Sequence, residues 1–233
     1  MAVRLCFLFY GDLEEQIAQV MMASVRNHMP DMILTQLTDA KTKRIKGVDE
    51  VLRIDGKTYP YLLLSHMANC PLPFIRVDYD MIFQGDLSPC LQGDFDIAVN
   101  GHGDDFILQT EFGRMNPLAT CVWAANNGTA HDFAREVRKT HMTSGRDNWL
   151  GLVTSCNEVL PRYKVKELDG RIYNYCPKER EDRPEDVLVL HYKGNRKQWM
   201  FPKERAHLAN KDQMRLMALV KTYGQKEHLA RGA

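Results

Sequence analysis

One stretch limits what this chain can fold into more than any other: Pro73 to Leu87, PFIRVDYDMIFQGDL. Two short apolar runs, Phe74 to Val77 and Met81 to Phe83, are bounded by Pro and Gly, which is the pattern of a buried strand. Asp78 and Asp80 lie inside it. Side chains two apart in a strand point the same way, so the two carboxylates share a face if the strand continues and converge at its end if it turns. Buried carboxylates are costly unless a positive group holds them. Their oxygens suit a hard divalent cation such as magnesium, calcium or manganese. A strand end with two solvated aspartates is the competing account of so short a tripeptide.

A second stretch, Val187 to Met200 (VLVLHYKGNRKQWM), ends an apolar strand on His191 and sets Gly194, Lys197 and Trp199 at fixed offsets behind it. An aspartate pair after an apolar strand, followed far downstream by H-x-x-G-x-x-K-x-W, resembles the retaining nucleotide-sugar glycosyltransferases of the GT-A fold, family 8 and its relatives. The resemblance implies Asp78, Asp80 and His191 as ligands of Mn2+ (or Mg2+), with Gly194 and Lys197 on the donor diphosphate. Trp199 would pack the loop that covers it. The donor would be a nucleotide sugar, with a UDP-sugar the family's usual choice.

The same resemblance assigns further residues. Tyr10, Asp12 and Asp39, after the first two strands, would line the nucleoside pocket; Asp39 reads equally as a turn residue. Relatives often carry an Arg where Tyr61 stands, and Lys57 is the candidate replacement. Asn116, in NPLATCVWA, stands where relatives place an Asn on the donor sugar. Asp147 and Asn148, in SGRDNWL, stand for an Asp-Gln pair beside the anomeric carbon; the competing account makes Asp147 the cap of a helix.

The rest of the chain agrees with an α/β fold. Val3 to Tyr10 reads as a central strand of a parallel sheet. Asp12 and Glu15 have capping-box spacing before a helix carrying Leu13, Ile17, Val20, Met21 and Val25. Strands follow at Met32 to Leu37, Glu50 to Ile54 and Asp96 to Asn100, with helices at Tyr59 to Cys70 and Thr129 to Lys139. The 233 residues suffice for one sizeable core. The expected architecture is a single GT-A type domain over 1–200, a Rossmann-like mixed sheet flanked by helices, then a C-terminal helix (Lys211 to Tyr223) and basic tail over 201–233.

Charge and cysteine usage narrow the setting. From His191 onward ten Lys or Arg face three Asp or Glu, a net +7 that leaves about −6 for the preceding residues. Such a segment could meet nucleic acid, anionic lipid or an acidic substrate. The six cysteines form no C-x-x-C pair, so they suggest neither a zinc site nor a disulfide framework. They read as small buried residues in a reducing cytoplasm. Apolar runs are too short to span a bilayer, and no signal peptide is expected. Acceptors left open are a glycan, a lipid-linked saccharide or a protein. A hydroxymethylated DNA base is also open, as for bacteriophage transferases. A non-catalytic module binding nucleotide sugars or nucleic acid is the rival from another class, and a metal-dependent nucleotidyltransferase lacks the Gly-rich phosphate loop it would need.

Overall fold

The structure, a computed structural model, describes residues 2–11, 13–56, 58–103 and 109–201. The expected C-terminal helix and basic tail, and the candidate residues Asp12 and Lys57, lie outside them.

Among the described residues a seven-stranded mixed sheet forms the centre, in the order β3-β2-β1-β4-β7-β6-β8. Its strands are β1 (Arg4–Leu8), β2 (Ile33–Thr38), β3 (Glu50–Arg53), β4 (Phe74–Val77), β6 (Ile97–Gly101), β7 (Leu118–Ala125) and β8 (Val165–Leu168). The strands β1 to β4 run parallel, and β7 runs antiparallel to both β4 and β6. β1 is central and buried on both faces. Leu5 and Phe7 join the core against α1 (Glu15–His28), while Cys6 and Leu8 join the core against α2 (Tyr59–Met67), α4 (Thr129–Thr143) and α5 (Trp149–Val159). This two-sided burial is why its sequence is continuously apolar rather than alternating. Short helices α3 (Glu111–Met115) and α6 (Gly170–Tyr173) complete the set.

Of the two courses open to the Pro73 to Leu87 stretch, the chain takes the turn. β4 ends at Val77, the chain turns through Asp78 to Asp80, and β5 (Met81–Phe83) leaves the main sheet to pair antiparallel with β9 (Val189–His191). Met81 stands opposite His191, and the Tyr192 N–H donates to the Asp80 carbonyl at 2.9 Å. A two-stranded ribbon thus carries the distal histidine to the aspartate turn.

Two capping expectations are corrected. The first helix begins at Glu15, not within a box opened by Asp12: the chain leaves β1 through Gly11 at φ +71° and is still extended at Glu14, which makes no side-chain cap bond. The helix after SGRDNWL is capped by Asn148, not Asp147. Asn148 has the extended backbone of a cap and accepts the Gly151 N–H at 2.9 Å.

Candidate functional site

Asp78 and Asp80 occupy the turn at the C-terminal end of β4, the edge of a parallel sheet where α/β proteins place ligands. His191 is 3% exposed, and its Nε2 lies 3.2 Å from Asp80 Oδ1 and 3.7 Å from Asp78 Oδ2. Its other ring nitrogen, Nδ1, is 2.7 Å from Asn174 Oδ1. Asn174 in turn donates Nδ2 to the Gly101 carbonyl at 3.3 Å, which fixes its amide orientation. Nδ1 therefore carries a proton and donates it, leaving Nε2 directed at the two carboxylates. A metal-binding histidine is held in the same way.

This close approach is bought with glycine. A Cβ on Gly103 would sit 1.9 Å from the Asn174 carbonyl oxygen, and one on Gly170 would sit 2.5 Å from the Gly101 carbonyl oxygen.

Two cations flank the carboxylates. Lys197 Nζ is 3.3 Å from Asp80 Oδ2, donates to Tyr79 Oη at 2.9 Å, and lies 4.7 Å from the centre of the Tyr79 ring. Burial opposes the charge on Asp80, which is 8% exposed, but Lys197 and His191 outweigh it and hold the carboxyl well below its ordinary range. Arg76, 1% exposed, pairs with Asp78 Oδ1, donates to Tyr59 Oη at 2.7 Å and reaches the Thr120 carbonyl. Burial works against its guanidinium charge, and Asp78 and Tyr59 more than restore it. Neither motif marks Arg76 or Tyr59.

The residues present fit a divalent cation. His191 Nε2 stands between Asp78 Oδ2 and Asp80 Oδ1, and carboxylate oxygens with an imidazole nitrogen are donors that suit a divalent cation. Asp78 and His191 also belong to a group with Cys121, whose candidate ligand atoms all lie within 4.8 Å of one another.

The other expected residues are placed as follows. Gly194, at φ +58°, opens a 3-10 turn over Gly194–Met200 that carries Lys197 and Trp199. Trp199 is partly buried against the cluster of Ile17, Leu190 and Tyr192. Tyr10 and Asp39 lie in adjoining loops, joined where the Gly11 N–H donates to Thr42 Oγ at 2.7 Å. Asp39 Oδ1 caps its own turn, accepting the Lys41 and Thr42 N–H groups at 3.0 and 2.7 Å. Asn116 is buried at the end of α3, with Nδ2 donated to the Phe112 carbonyl at 3.0 Å. Asp147 stands 3.6 Å from the buried His141 and lines a cavity of about 520 Å³ with Asp55, Tyr61, Arg138 and Arg146. The Arg138 guanidinium lies 6.0 Å from the Tyr61 ring centre. Tyr61 is two residues beyond Tyr59, so the first turn of α2 connects this cavity to the aspartate turn.

Comparison with solved structures shows the fold. The galactosyltransferase LgtC in complex with donor and acceptor sugar analogues matches with a TM-score of 0.60 and 14% identity, over 89% of this chain and 95% of that one. An active-site mutant of LgtC matches with a TM-score of 0.57 and 14% identity, over 82% and 87%. This chain has their fold, the GT-A fold that the two motifs lead one to expect. No family model matches the sequence, and no curated protein does. Among the described residues no helix is long and apolar enough to cross a membrane.

Proposed function

We propose that this chain is a metal-dependent glycosyltransferase that moves a sugar from a nucleotide-sugar donor, a UDP-sugar, to an acceptor hydroxyl with retention of configuration. The observation that carries the reading is the convergence of Asp78, Asp80 and His191, with Lys197 beside them, at the ligand-binding edge of a GT-A sheet. One LgtC structure was solved in complex with donor and acceptor sugar analogues, which supports the same class of ligand here.

Asp78, Asp80 and His191 would hold Mn2+ or Mg2+, and a cation held there supplies Lewis-acid charge to a departing diphosphate. The chain's own residues do the rest. Lys197 is already desolvated and pinned by Asp80 and Tyr79, so its charge is in place before negative charge develops. Gly194 is left-handed with open space around its α-carbon, which lets a diphosphate approach the backbone of the turn. Asn174 keeps the His191 ring from rotating. Asp147 lines the cavity beside α2, where an acceptor would meet the sugar, and Asn148 caps the helix that follows it.

The test is thermal stabilisation of the full chain by a panel of nucleotide sugars, with Mn2+ and with EDTA. Ligand that binds only the folded state raises the melting temperature, by about 2.7 kcal/mol of added stability at a hundredfold excess over Kd. The expected outcome is a shift with one UDP-sugar that requires Mn2+ and vanishes in Asp80→Asn. No shift with any donor would sink the proposal. The responsive donor, supplied with saccharide, lipid-linked and hydroxymethylated-DNA acceptors in turn, then separates the acceptor classes by product formation.

A further inference from the structure

We propose that Cys121 is a ligand of the metal site: with Asp78 and His191 it makes a mixed sulfur, oxygen and nitrogen set suited to a thiophilic divalent ion of the zinc, cobalt or cadmium kind. The inference rests on the reading of Asp78 and His191 as ligands given above and adds what the aspartate pair and histidine alone do not imply.

The placement is a product of the sheet. β7 runs antiparallel to β4, pairing Arg76 with Trp123 and Val77 with Val122, so the next step of that register sets Cys121 against Asp78. On the other side of β7 the ladder with β6 is irregular between Val99 and Gly101, and Asn100 Oδ1 takes the Val122 N–H at 2.7 Å. Cys121 is 2% exposed. Its sulfur, an Asp78 oxygen and a His191 nitrogen lie within 4.8 Å of one another. Ligands around tetrahedral zinc, at bonds of about 2.0 to 2.3 Å, are roughly 3.4 to 3.8 Å apart, so a small closing movement completes the set. Thiolate softens a site that carboxylates alone would keep hard, favouring zinc or cobalt over magnesium. Binding converts the thiol and the ion to a metal thiolate and releases the thiol proton to solvent.

Titration of the reduced, metal-free full chain with Co2+ tests this, because a cobalt–thiolate bond gives a charge-transfer absorption in the near ultraviolet. The expected result is a saturable band that Zn2+ abolishes. It is absent from Cys121→Ser, kept in Cys176→Ser, and requires at least tenfold more cobalt in His191→Ala. Cys121→Ala, which keeps a small apolar side chain in the core, replaces Cys121→Ser if that variant does not fold. Cobalt bound without the band, or a band that survives loss of Cys121, overturns the assignment. Donor stabilisation with Mn2+ but no cobalt–thiolate band sinks this inference and leaves the transferase reading standing. The band without any donor response keeps the sulfur ligand and removes the transferase.

Discussion

Asn174 decides what His191 can do. By taking the Nδ1 proton at 2.7 Å it leaves Nε2 as the nitrogen that faces Asp78 and Asp80. Removing a partner of this kind typically costs about 10- to 100-fold in metal affinity. Asn174→Ala should therefore weaken Mn2+ binding by about that factor in calorimetric titration, with the chain still folded by circular dichroism. Residue-scale features differed sharply in how far the sequence showed them. Asp78, Asp80, His191 and Lys197 were singled out by the resemblance of two spaced motifs, and the fold brings the four side chains together. Arg76 sits in FIRV and reads as one more strand residue; its partners Tyr59 and Thr120 are 17 and 44 positions away, and only the folded sheet surrounds it. Cys121 was invisible for the same reason, since its companions are an aspartate and a histidine on other strands rather than a second nearby cysteine. The cap at Asn148 turns on backbone angles that neighbouring Asp147 could equally have adopted.

At the scale of elements, the aspartate turn shows where periodicity stops informing. The apolar runs on either side of Asp78-Tyr79-Asp80 read as strand, and both form strands. That they belong to different sheets depends on β9, which supplies β5 with a partner from far downstream, His191 opposite Met81. The antiparallel β7 was likewise illegible, because direction in a sheet follows from connections and not from composition. The backing of the ribbon is the close contact of α6 with the end of β6. Gly103 and Gly170 each lie where a methyl group would overlap backbone, not a movable side chain. Overpacking of this sort costs typically about 1–3 kcal/mol. Gly103→Ala and Gly170→Ala should each lower the urea midpoint accordingly. Each should also weaken Mn2+ binding, since the backbone that must give way is that of Asn174 or of the Gly101 carbonyl it bonds. Stability lost with metal affinity intact would show that this packing does not position the site.

For the molecule as a whole, ion pairs along one edge of the sheet set the response to acid. Arg4 donates to both Glu50 oxygens, at 2.9 and 3.1 Å, and Arg26 pairs with Asp49, which also caps the Leu34 N–H. The hydrogen bond from Arg4 lowers the Glu50 carboxyl. Burial raises Asp49, but Arg26 and the Leu34 N–H outweigh it and lower that group too. A carboxyl lower in the folded than in the unfolded chain adds stability above its unfolded value and loses it as pH falls through the folded one. In EDTA, where Asp80 is still held low by Lys197 and His191 and acts in the same sense, the urea midpoint should hold from pH 7 to about 5.5 and fall below about 4.3, the ordinary glutamate value. Glu50→Gln should start lower at pH 7 and fall less steeply. An unchanged acid slope in that variant would remove Glu50 from the explanation.

The ribbon between β5 and β9 carries a further consequence, one of timing. Synthesis runs from the N-terminus, so the aspartate turn is made long before its histidine. Until Val189 to His191 has left the ribosome, Asp78 and Asp80 have no imidazole, no Lys197 and no strand against Met81. Every nascent chain that stops short of β9 carries only part of the arrangement, and the aspartates, the imidazole and Lys197 come together only after that strand is made.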